Sequence, residues 1–387
     1  MVQGNGKVIM AGHKNLSRRE ALKLSGLTIL AVTLGSCAKR TPELNPYARN
    51  FNPVVVSEQR VMREVVGLRP YRPSGFVVRY ERIGDKDVIH NYGHGGGGIS
   101  LCWGTSHMAM EKAASLGHTE CAVLGCGVVG LTTATLMQRR GHKVTIYSKD
   151  LPPATTSNVA AGKWTPLIAF DDDEITPQFY QKFLKAARLS YKYYQDLIGK
   201  AYGVNWTQNY IFGDRPVTLL PSYDDLLYSY RDVLSIPRSE YPFDKPYCLA
   251  YTALRVETPL FMNALMQDFQ RAGGEIVVRE FRNPEELRGL KEPLIVNCTG
   301  LGSRALFGDS ELVPVKGQLT MLIPQPEVDY SASIRGAGLY MVPRTDGIIL
   351  GGSWQKGESS LAPDPAQSRR ILEGHAQFFN SRHRLVG

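Results

Sequence analysis

Apolar positions change their period along this chain. Cys121-Ala122-Val123-Leu124 is a short continuous apolar run, and Lys143-Val144-Thr145-Ile146-Tyr147 is a second. Between them, Leu131 to Arg140 carries apolar residues at helical spacing. The pattern predicts strand, helix, strand. Gly125-Cys126-Gly127-Val128-Val129-Gly130 stands at the first turn. Glycines there permit a tight turn, close backbone approach to a pyrophosphate and close helix-to-strand packing. The unpaired N–H groups at the helix start then face the phosphates. The unit implies a dinucleotide site, and the glycines alone do not separate NAD from FAD.

Elsewhere the pattern is mixed. Residues 41–66 read as a linker followed by a strand or short helix. Phe76 to Tyr80 and Val88-Ile89 read as strands around a Gly84-Asp85 turn. A glycine tract, Gly93 to Gly98, precedes a helix predicted over Trp103 to Ala114. Pro177 to Ile198 predicts a long helix rich in aromatics. Thr258 is expected to cap a helix with Pro259 at its first position, and Leu260, Phe261, Ala264, Leu265 and Phe269 line one face. Glu275 to Phe281 and Leu294 to Cys298 read as strands. Val315 to Ile323, Gly338 to Val342 and Ile348 to Gly352 alternate like an antiparallel sheet, and Asp364-Pro365 opens a last helix.

A length of 387 residues suggests two α/β domains. Apolar content of 43% and charged content of 21% are ordinary for a globular protein. The net charge of +9 comes from scattered residues, with short pairs such as Arg139-Arg140 and Arg369-Arg370. It reads as a solvated surface and excludes a nucleic-acid footprint. At the start, Ser17-Arg18-Arg19-Glu20 precedes an apolar run from Leu24 to Leu34, and Leu34-Gly35-Ser36-Cys37 resembles a lipoprotein processing site. These features predict a twin-arginine export signal over residues 1–37, with a lipid anchor on Cys37 less firmly implied. The expected place is periplasmic or extracytoplasmic, and cytoplasmic if the signal does not function. Cys102, Cys121, Cys126, Cys248 and Cys298 lie far apart without a C-x-x-C pair, as expected of buried free thiols.

Several segments resemble the D-amino-acid oxidases, a family of FAD enzymes. They are Gly67-Leu68-Arg69-Pro70-Tyr71-Arg72-Pro73, His90-Asn91-Tyr92-Gly93-His94 with the glycines after it, and Trp103-Gly104. Thr155-Thr156-Ser157-Asn158-Val159-Ala160-Ala161-Gly162-Lys163-Trp164-Thr165-Pro166 and Asn297-Cys298-Thr299-Gly300 with Lys316-Gly317-Gln318 complete the set. The resemblance implies a Rossmann-like FAD-binding domain and a second, substrate domain with a mixed or antiparallel sheet. It also implies an altered order. In the family, the segments here at 51–116 follow all the others, so a circular permutation is expected, joined at Ser115 to Glu120. The expected organisation is signal 1–37, linker 38–50, permuted segment 51–116, dinucleotide unit and FAD loop 117–170, and substrate domain 171–387 interleaved with remaining FAD-domain strands.

The resemblance also implies site residues. Arg69 falls at the family's carboxylate-binding position, and arginine offers a planar bidentate fork for a carboxylate. Tyr340 matches a tyrosine that contacts the same carboxylate. Gly97 lies in the loop near the substrate. A further family tyrosine is replaced by Gly336, beside Arg335, whose charge would favour acidic substrates. FAD contacts are expected from Gly125, Gly127, Val128, Val129 and Gly130, and from Ser148 and Lys149 after the second strand. Lys149 stands where an acidic residue usually binds the ribose. Thr155, Thr156, Ser157, Ala161, Gly162, Lys163 and Thr165 belong to the FAD loop, Thr299 and Gly300 to a later turn. Gly95, Gly96, Gly98, Ile99 and Ser100 would surround the flavin ring. His90 and His94 are four apart, but the intervening glycines argue against a helical metal pair, so no metal is expected.

The leading expectation is oxidation of a D-amino acid with oxygen. A flavin dehydrogenase feeding a membrane acceptor, a non-catalytic flavin-binding protein and, more weakly, a nicotinamide dehydrogenase stay open, as does a homo-oligomer.

Overall fold

The structure, a computed structural model, describes residues 51–219 and 223–381. The export-signal reading and Cys37 lie outside them. Two sheets carry the fold. The smaller has the order β2 (Val77–Ile83), β3 (Lys86–Tyr92), β10 (Leu294–Asn297), β4 (Glu120–Leu124), β5 (Lys143–Ser148), β9 (Glu275–Val278). From β3 to β9 every pairing is parallel, and β2 joins as an antiparallel hairpin with β3. The central strands are buried on both faces, so they read as unbroken apolar runs.

The larger sheet has the order β1 (Val61–Tyr71), β11 (Val313–Leu322), β14 (Gly347–Gly351), β13 (Leu339–Arg344), β12 (Tyr330–Ile334), β6 (Val204–Gly213), β8 (Tyr247–Val256), β7 (Arg231–Ile236), with β15 (Gln355–Lys356) also on β11. Its pairs are antiparallel except β12 with β6. It is the expected mixed sheet. Helices α1 (Gly98–Ala114), α2 (Val128–Arg139), α4 (Pro177–Gln195) and α5 (Thr258–Arg271) pack beside the smaller sheet. The short α3 (Thr156–Val159) follows a proline-bearing turn at Pro152-Pro153, and α6 (Gly302–Phe307) follows Gly300. α7 (Pro365–Asn380) covers the larger sheet.

Residues 51–92 are woven into both sheets. β1 runs antiparallel to β11 from Val61 to Tyr71, and β3 lies beside β10. The segment preceding the dinucleotide unit therefore supplies three strands that the rest of the chain closes around. The five cysteines of the described residues are free and buried.

Four local readings shift. α1 begins at Gly98, five residues before the predicted start, because the last glycine of the tract opens the helix. Gly104 explains the need for small residues: a Cβ there would lie 1.9 Å from Ala186 O on α4. Thr258 is not the cap of α5. Glu257 occupies that position, and the Thr258 hydroxyl donates to Ala160 O at 3.0 Å. The strand predicted to reach Phe281 ends at Val278, and the helix predicted to reach Ile198 ends at Gln195.

Among the described residues, three histidines are buried. Burial pushes His90 and His375 down to about 4 and His94 down to about 3. The unfolded chain takes up protons near pH 6.5 while the folded form does not, so stability falls as pH drops from 6.5 toward 4. Each histidine is expected to cost on the order of 2 kcal/mol at pH 5 relative to pH 7. Denaturant midpoints at pH 7 and pH 5 check this, and equal midpoints would refute it.

Candidate active site

The cradle at the end of β4 is built from backbone. Gly125 has φ +104°, and its N–H donates to Tyr147 O at 2.7 Å. A Cβ at Gly125 would meet Cys298 O at 2.6 Å, and one at Gly130 would meet Gly125 O at 1.9 Å. The glycines thus seat the start of α2 against the turn and the neighbouring strand. Gly127 has no side chain to cap α2, which leaves the amides that follow Val128 for an anion. Ser157 Oγ accepts from Val128 N at 2.9 Å, which brings the 155–162 loop over this helix end. Ser148 Oγ, after β5, accepts from Cys126 N at 3.0 Å. Ser148 and Ser157 thus fix the turn and the helix start, and the amides after Val128 are those that a pyrophosphate would meet.

The loop itself is held from beneath. Arg344, buried on β13, donates to Ala160 O at 3.0 Å and pairs with Asp346. Gly162 has φ +84°, and its O accepts from Val256 N at 2.7 Å. A Cβ at Gly67 would touch Val159, and one at Gly300 would approach Pro70. The 67–70 segment, the 155–162 loop and the turn after β10 therefore converge, although they are distant in sequence. Thr299 donates to Asn297 Oδ1 at 2.8 Å, and Asn297 Nδ2 reaches Ser303 Oγ at 3.0 Å and His90 Nδ1 at 3.1 Å.

On the larger sheet, Arg69 and Tyr340 come together. The Tyr340 oxygen accepts from the Arg69 guanidinium. The Arg69 guanidinium lies 5.3 Å over the Trp354 ring and 3.5 Å from Ser353 O. Among the described residues no carboxylate pairs with Arg69. Two glycines make the room. A Cβ at Gly317 would lie 2.3 Å from Arg69 Nη1, and one at Gly351 would lie 2.3 Å from Tyr340 Cζ. Burial raises the Tyr340 phenol above its ordinary range, against the opposing pull of Arg69, so it stays an O–H donor at neutral pH. Guanidinium and phenol form a donor pair matched to a carboxylate.

Gly351→Ala is therefore expected to displace the tyrosine and lower turnover per unit substrate on the order of 100-fold with flavin still bound. Steady-state kinetics on the flavin-loaded variant check it. Wild-type kinetics would show that the ring has room to yield.

The other expected residues fall into place unevenly. Gly95, Gly96 and Gly97 form a tight turn against Ile168 and Ala169, with Gly96 N donating to Ile168 O at 2.8 Å. Ser100 Oγ accepts from Thr165 N at 2.9 Å, and Ile99 O accepts from Tyr194. Thr155 donates to Asn158 within the loop. Lys149 is exposed, near Glu280 and Asp150. Arg335 is exposed in the turn between β12 and β13, its N–H donating to Phe212 O at 2.8 Å. Lys163, expected beside the cofactor, sends its amine to Ser333 Oγ at 3.0 Å. His94 bonds Thr105 Oγ1 at 2.8 Å and stacks on Phe76, while His90 turns to Glu81 and Asn297, so the two do not share a ligand. Sequence reading missed Trp354, Ser353, Ser333 and the room made by Gly317 and Gly351. The prior signals were that Gly317 falls in a segment of the resemblance and that both glycines interrupt otherwise β-rich runs.

A largely parallel sheet with a glycine turn before α2, joined to a mixed sheet that brings a guanidinium and a phenol together, has the architecture of a dinucleotide-dependent enzyme. The comparisons name the kind. The FAD-dependent oxidoreductase family model, DAO, matches residues 120–386. D-aspartate oxidase of Homo sapiens is 34% identical over 256 residues, covering 65% of this chain and 73% of that protein. D-amino acid oxidase of Dugesia ryukyuensis is 29% identical over 270 residues, covering 67% and 77%. Among solved structures, glycine oxidase from Geobacillus kaustophilus aligns with a TM-score of 0.51 at 18% identity, covering 69% of this chain and 80% of that one, which supports the fold. The chain belongs to the DAO family of FAD-dependent oxidoreductases, and FAD is its cofactor.

Proposed function

We propose that this enzyme deaminates a D-amino acid oxidatively, giving the 2-oxo acid, ammonia and hydrogen peroxide. The observation that carries the reading is the meeting of Arg69 and Tyr340, two donors without a carboxylate of the protein to bind. The names of the relatives support the substrate class, since both sequence relatives described above act on D-amino acids.

When bound, FAD accepts a hydride and returns two electrons to oxygen. The protein's part is positional. The Arg69 fork and the Tyr340 hydroxyl grip the substrate's α-carboxylate, which fixes the Cα–H bond in one direction. Hydrogen leaves Cα as hydride, so no side chain need take it as a proton. The resulting imine takes up water and releases ammonia. Trp354 and Tyr71, edge to face at 5.3 Å, wall the arginine side of the site. The 155–162 loop, tied down by Arg344 and Thr258, holds the cofactor side steady.

The test is anaerobic mixing of the holoenzyme with D- and L-amino acids, followed by air. Bleaching of the oxidised flavin by D-amino acids alone, then peroxide in stoichiometric yield, is expected. A flavin that no amino acid reduces would sink the proposal. Reduction without peroxide would move it to the dehydrogenase reading.

A further inference from the structure

Lys163 carries a charge that the rest of the fold does not answer. Its backbone bridges the edge of β8 at Arg255, and Nζ donates to Ser333 Oγ at 3.0 Å. Among the described residues no carboxylate pairs with it. A partly buried ammonium bonded only to a hydroxyl is costly unless an anion arrives. Burial pushes its pKa down to about 8, which still leaves it mostly charged at pH 7.

Ser333 fixes where that charge lies. It is the direct register partner of Tyr340 across the β12–β13 pair. Opposed residues of antiparallel strands share a face, with Cβ atoms about 4.5–5.5 Å apart. Tyr340 in turn meets Arg69. Ammonium, hydroxyl, phenol and guanidinium therefore form one row along a single face of the larger sheet. Both ends of the row are cationic, and neither has an anion of the protein. A ligand with one carboxylate satisfies Arg69 and leaves Lys163 unpaired. A ligand with two satisfies both.

We propose that Lys163 is the specificity-determining residue of this site, binding the side-chain carboxylate of an acidic D-amino acid while Arg69 and Tyr340 hold the α-carboxylate. The inference rests on the D-amino-acid oxidase reading and adds the substrate class to it. Ser333 holds the amine in line, and its small side chain leaves room for the substrate's. Arg335, in the exposed turn, is not needed for this selectivity.

The experiment compares D-aspartate and D-glutamate with their amides, D-asparagine and D-glutamine, as anaerobic reductants of the flavin in the holoenzyme. Each pair matches in size and differs in charge. The wild type is expected to favour the acids at least about 100-fold in second-order rate constant. Lys163→Met is expected to bring the ratio below about 10-fold, chiefly through slower reduction by the acids. A wild type that reacts equally with acids and amides overturns the assignment, and this outcome needs no variant to fold. So does a Lys163→Met enzyme with an unchanged ratio, or one that has lost its flavin, which would make the lysine a cofactor contact. If none of the four, nor D-alanine, reduces the wild-type flavin, the parent reading fails and takes this one with it. Reduction without preference between acids and amides sinks the lysine assignment alone.

Discussion

Replacing Arg69 with alanine is expected to lower kcat/KM about 1,000-fold while FAD stays bound. The guanidinium has no carboxylate of the protein to pair with, so little of its charge is committed to the fold. It sits instead against Ser353 O and the Trp354 face, with Tyr340 at its tip. A bidentate grip on a carboxylate involves two charge-assisted hydrogen bonds, each worth about 1.5–3 kcal/mol. Losing both accounts for about 3–6 kcal/mol, of which 4 kcal/mol corresponds to roughly 1,000-fold. Arg69→Lys keeps the charge and loses the fork, so it is expected to recover only part of the rate. FAD retention follows from position, because the glycine cradle lies on the other sheet. Stopped-flow reduction across a substrate series gives the constant, and the visible spectrum reports the flavin. An alanine variant with wild-type kinetics would take Arg69 out of the site.

The dinucleotide unit was legible because its determinants are local. Strand, glycine turn, helix and strand fall within 28 residues, Cys121 to Ser148, and the glycines act on each other's backbone. The pairing of Arg69 with Tyr340 has no such signal. The two are 271 positions apart, and only the register of β1 on β11, and of β13 and β14 beyond, brings them together. The resemblance named both residues, and no periodicity could have joined them. β6 and β12 escaped the pattern for a different reason. β6 is buried over most of Asn209 to Gly213 on both faces, and β12 almost throughout, so neither alternates. Lys163 stands among cofactor-loop residues in sequence, whereas its amine crosses to the larger sheet, a contact that no local pattern announces.

A permuted order of segments is implied by the resemblance alone, and one contact of the fold is compatible with it. Phe51 packs edge-on against Phe212 and Phe243 at 6.4 and 5.3 Å, and Phe378 packs on the same two rings at 5.2 and 4.8 Å. The two limits of the described chain thus share one aromatic cluster. Where ends meet, reconnection elsewhere costs little. We infer that the 51–116 segment holds a permuted position, with Ser115 to Glu120 as the new joint between α1 and β4. Moving 51–116 to follow residue 381 should give a folded flavoprotein with the same spectrum. A chain so rearranged that stays unfolded would count against the inference.

Gly130→Ala is expected to yield a destabilised protein that does not hold flavin, whereas Gly127→Ala yields a stable one that holds it weakly. The two glycines belong to one motif but meet different obstacles. A Cβ at Gly130 would lie 1.9 Å from the carbonyl oxygen of Gly125, a backbone atom that no rotamer change can move. Relief requires the first turn of α2 to shift by about 1 Å, away from the turn whose φ of +104° only glycine adopts readily. Overpacking of this kind costs about 1–3 kcal/mol before any ligand is considered. The same shift withdraws the helix amides from the pyrophosphate, and the stabilisation that bound FAD contributes by mass action is lost as well. At Gly127 the added Cβ meets only Ser157 Oγ, at 3.3 Å, and that hydroxyl can rotate. The fold is then spared, and what suffers is the approach of a phosphate to the backbone, which is the second glycine's part in such motifs. Thermal unfolding of the two apoproteins separates the effects: a fall of several degrees for Gly130→Ala and almost none for Gly127→Ala. FAD titration by fluorescence quenching then expects weaker binding in both. Equal apoprotein midpoints would mean that the cradle is more compliant than its 1.9 Å contact implies, and that the third glycine serves the cofactor alone.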